Sequence, residues 1–207
     1  MTKIASFNIN GIKARLPRLI EWLEETQPDI ACLQEIKTQD EGFPIAEFEK
    51  IGYGAIWHGQ KSFNGVAILA KGSEPVETKR GLDGEPEDDH SRYLEADVTI
   101  GDNALPLRVA SIYLPNGNPL PGPKFDYKLG WMERLKARAA QKEWLYLEDK
   151  FLEDPSEAEV EHFCLWRAVS PLDHHHVLGL EVAMHDPEIL RGGEHIRDLR
   201  AQGERGV

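Results

Sequence analysis

The chain has 207 residues, of which 41% are apolar and 29% are charged, and its formal net charge is −12. This composition is typical of a folded globular protein, and no apolar run reaches the roughly 18–20 residues that a membrane-spanning helix needs. The first residues lack the apolar core of a secretory signal peptide, which favours a cytoplasmic protein without membrane contact. The acidic balance argues against a protein held to nucleic acid by bulk positive charge.

The charge is spread unevenly along the chain. Residues 1–141 hold 17 basic and 21 acidic residues, a net of −4, whereas residues 142–207 hold 7 and 15, a net of −8. Six of the eight histidines also lie in residues 142–207. We therefore divide the chain into residues 1–141 and a second segment, 142–207, with an acidic, histidine-containing composition of its own.

The N-terminal part begins with a strand, a helix and a second strand. Alternating, β-rich residues predict the first strand at Lys3–Ile9. Apolar residues at helical spacing in Leu16–Leu23 predict a helix that ends at Gln27-Pro28, because a residue before proline avoids helical backbone. The short apolar run Asp29–Leu33 predicts a strand that is buried on both faces.

Short strands and one more helix follow. The predicted strands are rich in apolar or β-branched residues and are separated by turn-forming residues. They lie at Tyr53–His58, Val66–Ala70, Tyr93–Ile100 and Leu107–Leu114. The acidic segment Asp83–Asp89 is interpreted as a solvated connection. A helix from Pro123 is predicted from apolar residues that share one face. These are Phe125, Leu129, Met132, Leu135 and Ala139. The pattern favours a mixed α/β arrangement with one sheet and at least two covering helices.

Beyond residue 141 the pattern is harder to interpret. The acidic residues 143–161, with apolar residues interleaved, are interpreted as a helix. Val177–Met184 is interpreted as a strand, and the mixed charges beyond Gly193 as a frayed helix.

Polar groups stand near the ends of several predicted strands, where α/β proteins expose functional atoms. Asn8 can donate to or accept from a ligand, or belong to a turn. Glu35 can hold a hard divalent cation, or be a solvated loop residue. Lys61 can meet a phosphate on a hairpin turn, or serve solubility. Tyr113 can donate to a phosphoryl oxygen, or cap the core with its hydroxyl in water.

Taken together, these segments resemble the exonuclease III family of DNA-repair nucleases, within the endonuclease/exonuclease/phosphatase superfamily. Single motifs match by chance, but this set keeps the family's order and intervals from about Lys3 to Gln141. The segments that carry the resemblance are Ser6–Gly11, Pro28–Ile30, Leu33–Glu35, Gly59–Lys61, Asn64–Ala67, Arg80-Gly81, Arg92 and Tyr113–Gly117.

The resemblance implies a four-layer αββα sandwich, with two sheets face to face and helices outside. It implies hydrolysis of phosphodiesters in duplex DNA, at 3′ ends and abasic sites, with Mg²⁺ as cofactor and Mn²⁺ as a substitute. By motif, Glu35 matches the family's metal-binding glutamate, and Asn8 matches the asparagine that supports the metal site. Tyr113 matches the active-site tyrosine, and Arg92 and Asn116 lie in segments beside the DNA.

The second segment departs from the family pattern. The family carries a Gly-Asp-aromatic-Asn motif and a closing Ser-Asp-His motif there, but no Asn follows Asn118 in this chain. Asp173-His174 is the nearest counterpart of the closing pair, and a metal-binding histidine run or a solvated loop are the other interpretations. The sequence therefore predicts an incomplete or atypical second half. Without a second sheet, the inner face of the first would expose a broad apolar patch.

Three functions stay open on this basis. The first is an exonuclease III-like DNA-repair nuclease, weakened or inactivated by the missing C-terminal motifs. The second is a catalytically dead remnant, truncated or frame-shifted, that binds metal, DNA or a partner protein. The third is a phosphatase of the same superfamily that acts on a small molecule, which Gly59–Lys61 and Tyr113–Gly117 disfavour. No particular oligomeric state is predicted.

Overall fold

The structure is a computed structural model that describes residues 2–101, 106–119, 121–142, 162–168 and 181–185. The strands in these residues are β1 (Lys3–Asn8), β2 (Ile30–Gln34), β3 (Tyr53–His58), β4 (Val66–Lys71), β5 (Val76–Arg80), β6 (Tyr93–Val98), β7 (Leu107–Tyr113), β8 (His162–Ala168) and β9 (Glu181–His185). The helices are α1 (Ile12–Thr26), α2 (Ile45–Glu49) and α3 (Pro123–Lys142), with a short 3₁₀ turn at Asp40–Gly42. None of the helices described is long and apolar enough to cross a membrane.

The strands form two sheets. The first has the order β3-β4-β2-β1-β9, in which β1 runs parallel to β2 and β9, whereas β4 is antiparallel to β2 and β3. The second is antiparallel throughout, in the order β5-β6-β7-β8. The prediction of a single sheet in the N-terminal part was therefore wrong. The strand β5 was missed because its side chains are largely exposed and charged, so it lacks a buried apolar face.

A buried apolar core joins the two sheets. Its members from the first sheet are Ile4, Ile30, Cys32, Val66, Ile68 and Ala70, and those from the second are Leu94, Ala96, Val98 and Val109. Each of these side chains is at most 3% exposed. The second sheet thus covers the inner face of the first, so these strands do not expose the apolar patch that was expected if a second sheet were missing.

Helices cover the outer faces and complete the predicted αββα sandwich. Leu19 and Leu23 of α1 and Phe48 of α2 pack on the first sheet. The residues of α3 that pack on the second sheet are Trp131, Met132, Leu135 and Ala139. Leu129 was predicted to share this face but is 36% exposed, since it lies about a quarter turn around the helix from the buried residues.

Buried ion pairs attach α3 to the second sheet. Glu95 of β6 is fully buried, and Arg138 of α3 donates to both of its carboxylate oxygens over 2.7–3.0 Å. The Tyr93 hydroxyl also donates to Glu95, at 2.8 Å. A buried carboxylate needs such partners, because an unpaired one would lose its hydration without compensation.

Asp88 corrects the interpretation of Asp83–Asp89 as a wholly solvated connection. Its side chain is 10% exposed and accepts hydrogen bonds from Arg134 at 2.6 Å and from the Tyr127 hydroxyl at 3.0 Å. Burial opposes ionisation, but these donors and the His90 N–H outweigh it and lower the pKa of Asp88. This end of the connection is therefore bound to α3.

The other strands predicted in the N-terminal part are confirmed, with ends that differ by at most two residues. The strand predicted at Val177–Met184 overlaps β9, and β8 and β9 extend the second and first sheets. The helices predicted at 143–161 and beyond Gly193 lie outside the described residues, as does Asp173-His174.

Candidate active site

Residues that follow β1 and β2 lie at the same edge of the first sheet. The two strands are parallel, with Asn8 opposite Gln34, so the residues that follow them are neighbours. Backbone hydrogen bonds continue the pairing beyond the strands, since the Gly11 N–H donates to the Glu35 carbonyl oxygen at 2.7 Å. This pairing brings Asn8 and Glu35 together, although they are 27 positions apart in the sequence.

Glu35 accepts hydrogen bonds on one carboxylate oxygen and meets a cation on the other. Asn8 Nδ2 donates to Oε1 at 2.9 Å, and the Tyr113 hydroxyl, from β7 of the second sheet, donates to the same oxygen at 2.8 Å. Lys37 Nζ lies 2.6 Å from Oε2. The Glu35 side chain is 14% exposed, so the carboxylate is held at the rim of the core between the two sheets.

The electrostatic balance keeps Glu35 ionised. Burial favours the neutral acid, but the hydrogen bonds from Asn8, Lys37 and Tyr113, with the charge of Lys37, outweigh it. They lower the pKa of Glu35 below its ordinary value of 4.5. A negative charge is therefore available to a cation at neutral pH.

Asn10 also belongs to this cluster of Asn8, Glu35, Lys37 and Tyr113, although no individual role was predicted for it. Lys37 Nζ donates to Asn10 Oδ1 at 2.6 Å, on the side where it also meets Glu35. Asn8 Oδ1, in contrast, accepts the Asn10 N–H at 3.0 Å. Asn8 thus orients the Glu35 carboxylate with its amide nitrogen, while Asn10 presents an amide oxygen beside it. Polar, apolar and polar residues alternate in both Asn8-Ile9-Asn10 and Glu35-Ile36-Lys37. This alternation is the signal that could have identified Asn10 and Lys37.

The backbone around this cluster is held in an unusual conformation. Asn10, Glu35, Lys37 and Asn64 all have positive φ, between 47° and 52°. Residues other than glycine adopt this left-handed region at a cost, and such residues are concentrated at functional sites. The Asn64 carbonyl accepts the Lys37 N–H at 3.0 Å, which ties the loop after β2 to the start of β4.

The loop between β3 and β4, which contacts the cluster through Asn64, is held by hydrogen bonds and close packing. Gln60 Oε1 accepts hydrogen bonds from Asn64 Nδ2 at 2.6 Å and from the Ser91 N–H at 3.2 Å. A Cβ at Gly59 would lie 2.4 Å from a backbone carbonyl oxygen, so the close packing there requires glycine. Lys61 is exposed on this loop. The hairpin predicted from Asn64-Gly65 is present, with a longer connection.

Arg92 and Asn116, which the resemblance placed beside DNA, both have partners within the chain. The Arg92 guanidinium lies 4.8 Å from the centre of the Tyr113 ring, and its Nη1 donates to the carbonyl oxygens of Tyr113 and Leu114 at 3.4 and 3.3 Å. Arg92 therefore positions the Tyr113 ring. Asn116 is exposed, and its Oδ1 accepts the Asn118 N–H at 2.9 Å. The contact of both residues with DNA stays a prediction.

The donor atoms fit a hard divalent cation that keeps most of its water ligands. Glu35 Oε2 and Asn10 Oδ1 both lie 2.6 Å from the Lys37 ammonium nitrogen, so they converge on one cationic position. Carboxylate and amide oxygens suit Mg²⁺, which is commonly held by one or two carboxylates and several waters. Among the described residues, no group of three His, Cys, Asp or Glu side chains could hold a metal. Glu35 is therefore the carboxylate on which a cation would depend here.

Comparison with known proteins gives the same family. The model of the Endonuclease/Exonuclease/phosphatase family matches residues 5–149. Exodeoxyribonuclease III of Haemophilus influenzae is 43% identical over 115 residues, which is 56% of this chain and 42% of the relative.

Two solved structures share the fold over roughly two thirds of this chain. An AP endonuclease from Archaeoglobus fulgidus has a TM-score of 0.61 and 40% identity, over 69% of this chain and 52% of that chain. A 3′ phosphatase from Neisseria, solved with a product DNA hairpin, has a TM-score of 0.61 and 35% identity, over 68% and 52%. The chain thus spans about half the length of these relatives. Because the family model matches more than two thirds of the sequence, the chain belongs to the endonuclease/exonuclease/phosphatase family.

Proposed function

We propose that the chain is a nuclease of the exonuclease III type, which uses a divalent metal at Glu35 to hydrolyse phosphodiester bonds in duplex DNA, at 3′ ends and abasic sites. The observation that supports this is that the Glu35 carboxylate is already oriented, with one oxygen free to meet a cation. Two neutral donors, Asn8 and Tyr113, bind one of its oxygens and leave the other to a cation. In an exposed surface ion pair, the carboxylate is not held in one orientation by neutral donors in this way.

In this proposal each residue of the cluster has a distinct role. Glu35 and Asn10 would hold Mg²⁺, or Mn²⁺ in its place, and a metal held there would neutralise charge on the phosphate oxygens. Asn8 keeps the carboxylate in the orientation that binds the metal. The Tyr113 hydroxyl lies beside Glu35 as a hydrogen-bond donor, and Arg92 holds the tyrosine ring.

A second candidate is binding without hydrolysis. The family's Gly-Asp-aromatic-Asn motif, part of the second set of catalytic groups, has no counterpart here, since no Asn follows Asn118. A positioned general base typically contributes about 10²–10⁴-fold to a rate. If this group is missing, metal and DNA still bind, but hydrolysis is slow or lost. Duplex DNA as the partner and a cytoplasmic location stay predictions under both candidates.

Strand cleavage and DNA binding distinguish the candidates. A duplex oligonucleotide with one abasic-site analogue is incubated with Mg²⁺, and its binding is followed by fluorescence anisotropy in EDTA. Glu35→Gln removes the charge and keeps the shape of the side chain. Glu47→Gln is the matched control, because Glu47 of α2 forms an exposed ion pair with Lys50, the residue after this helix.

Metal-dependent cleavage that falls about a hundredfold or more in Glu35→Gln but persists in Glu47→Gln supports the nuclease. Binding of the duplex without cleavage supports the second candidate. A folded protein that neither binds nor cleaves the duplex contradicts both.

A further inference from the structure

We propose that Lys37 is a built-in cation that occupies the metal position of this site and has to be displaced when a divalent metal binds. The inference rests on the proposed function, in that it concerns the metal at Glu35. Its starting point is that one ammonium group lies 2.6 Å from both Glu35 Oε2 and Asn10 Oδ1. These are the two oxygens that the cluster offers to a cation.

The second carboxylate oxygen of Glu35, Oε1, is less available to a metal than Oε2. Oε1 of Glu35 already accepts hydrogen bonds from Asn8 Nδ2 and the Tyr113 hydroxyl. Oε2 is therefore the oxygen that would bind a metal ion, and oxygen ligands of Mg²⁺ lie at about 2.1 Å. Lys37 Nζ stands on that same oxygen, and two cations at this separation repel each other in a partly buried site. Metal and ammonium accordingly exclude one another.

Lys37 is also the member of the cluster best able to move. Its backbone is held, because its N–H donates to the Asn64 carbonyl at 3.0 Å. Its side chain is 29% exposed, against 14% for Glu35, and its four-carbon stem has several rotatable bonds. Tyr113, in contrast, is held by Arg92. The ammonium can therefore leave while the carboxylate and its neutral donors stay in place.

This arrangement predicts the sign of one substitution. If Lys37 competes with the metal, removing its charge raises metal affinity. If Lys37 instead serves to organise Glu35 for the metal, removing it lowers the affinity. An ion pair with this partial exposure is worth up to about a fivefold change in a binding constant, which sets the size of the effect.

The test measures binding of Mn²⁺ to the full chain by the electron paramagnetic resonance signal of free Mn²⁺, without DNA. Lys37→Met removes the charge and keeps the apolar stem, and Lys37→Arg keeps the charge. Lys61→Met is the matched control, since Lys61 is exposed on the neighbouring loop and its loss changes the net charge equally. Thermal unfolding of each variant shows that it is folded.

We expect the Kd for Mn²⁺ to fall about fivefold in Lys37→Met and to change less than twofold in Lys37→Arg and Lys61→Met. An unchanged or higher Kd in Lys37→Met overturns the inference. An equal fall in Lys61→Met also overturns it, because the effect would then be one of net charge alone. Absence of Mn²⁺ binding in every variant overturns it as well. A chain that binds Mn²⁺ as expected but does not cleave DNA contradicts the proposed nuclease and leaves the role of Lys37 standing.

Discussion

The Tyr113 hydroxyl donates a hydrogen bond to Glu35 Oε1 at 2.8 Å, between residues 78 positions apart. This contact joins the end of the second sheet to the loop that follows β2 of the first. It helps to hold the carboxylate that the proposed chemistry needs. The packing of the two sheets therefore determines the orientation of Glu35.

Removing the Tyr113 hydroxyl should raise the pKa of Glu35. In Tyr113→Phe the carboxylate loses one of the donors that favour its charged form, while burial still disfavours it. The measurement is the titration of the ¹³C-labelled Glu35 carboxyl by NMR in both proteins. Tyr53→Phe, which alters a hydroxyl bonded to the Pro28 carbonyl, is the control and should leave this pKa unchanged. A pKa of Glu35 that is equal in Tyr113→Phe and the unmodified protein would show that this hydrogen bond is not made in solution.

The stability of the protein should depend on pH through Glu35. Because its pKa is lower in the folded chain than the ordinary 4.5, the ionised carboxylate contributes stability above pH 4.5. That contribution is lost as the pH falls through the lower pKa of the folded state. Urea unfolding between about pH 6 and 3 should therefore show a steeper loss of unfolding free energy in the unmodified protein than in Glu35→Gln. Parallel curves for the two proteins would contradict the depressed pKa.

Arg92 should act through Tyr113. Arg92→Ala removes the guanidinium from the tyrosine ring and from two backbone carbonyl oxygens. If the chain cleaves DNA, we expect the cleavage rate to fall about tenfold, with little change in the Kd for duplex DNA. A direct phosphate contact would instead weaken DNA binding and reduce its salt dependence by about one counterion. Anisotropy titrations at several salt concentrations separate the two roles, and a reduced salt slope would favour the DNA contact.

Arg138 should be among the residues on which folding depends most. In Arg138→Ala the fully buried Glu95 loses its bidentate partner and keeps the hydrogen bonds from Tyr93 and Thr78, with the Arg108 guanidinium 3.6 Å from its Oε1. We expect a loss of about 3 kcal/mol in unfolding free energy from urea denaturation. Arg18→Ala is the control, since Arg18 and Glu21 form an exposed pair, and it should cost less than about 1 kcal/mol. Equal losses in the two variants would show that Glu95 finds another partner or becomes hydrated.

Much of the fold could be predicted from local patterns. The buried strand β2 follows from the apolar run before Glu35, and α1 follows from its spaced leucines and the Gln27-Pro28 terminus. The local pattern gave a wrong prediction where the composition of a segment does not match its place in the fold. The charged strand β5 lacks an apolar face, and Asp88 is bound to α3 within an acidic segment that otherwise has the composition of a solvated loop.

Part of the candidate site could likewise be predicted from the sequence, and part could not. Asn8, Glu35 and Tyr113 could be selected from the sequence because polar residues after apolar strands mark the edge of a sheet where functional groups collect. The sequence motifs also identified the family. The separate roles of these three residues could not be predicted, because they depend on contacts between segments far apart in the chain. Asn8 turns its nitrogen to Glu35 only because its oxygen is taken by Asn10, and Lys37 meets both oxygens only because β1 and β2 end side by side. Short-range pattern thus determined which residues lie at the edge, and the packing of the two sheets decided what each of them contacts.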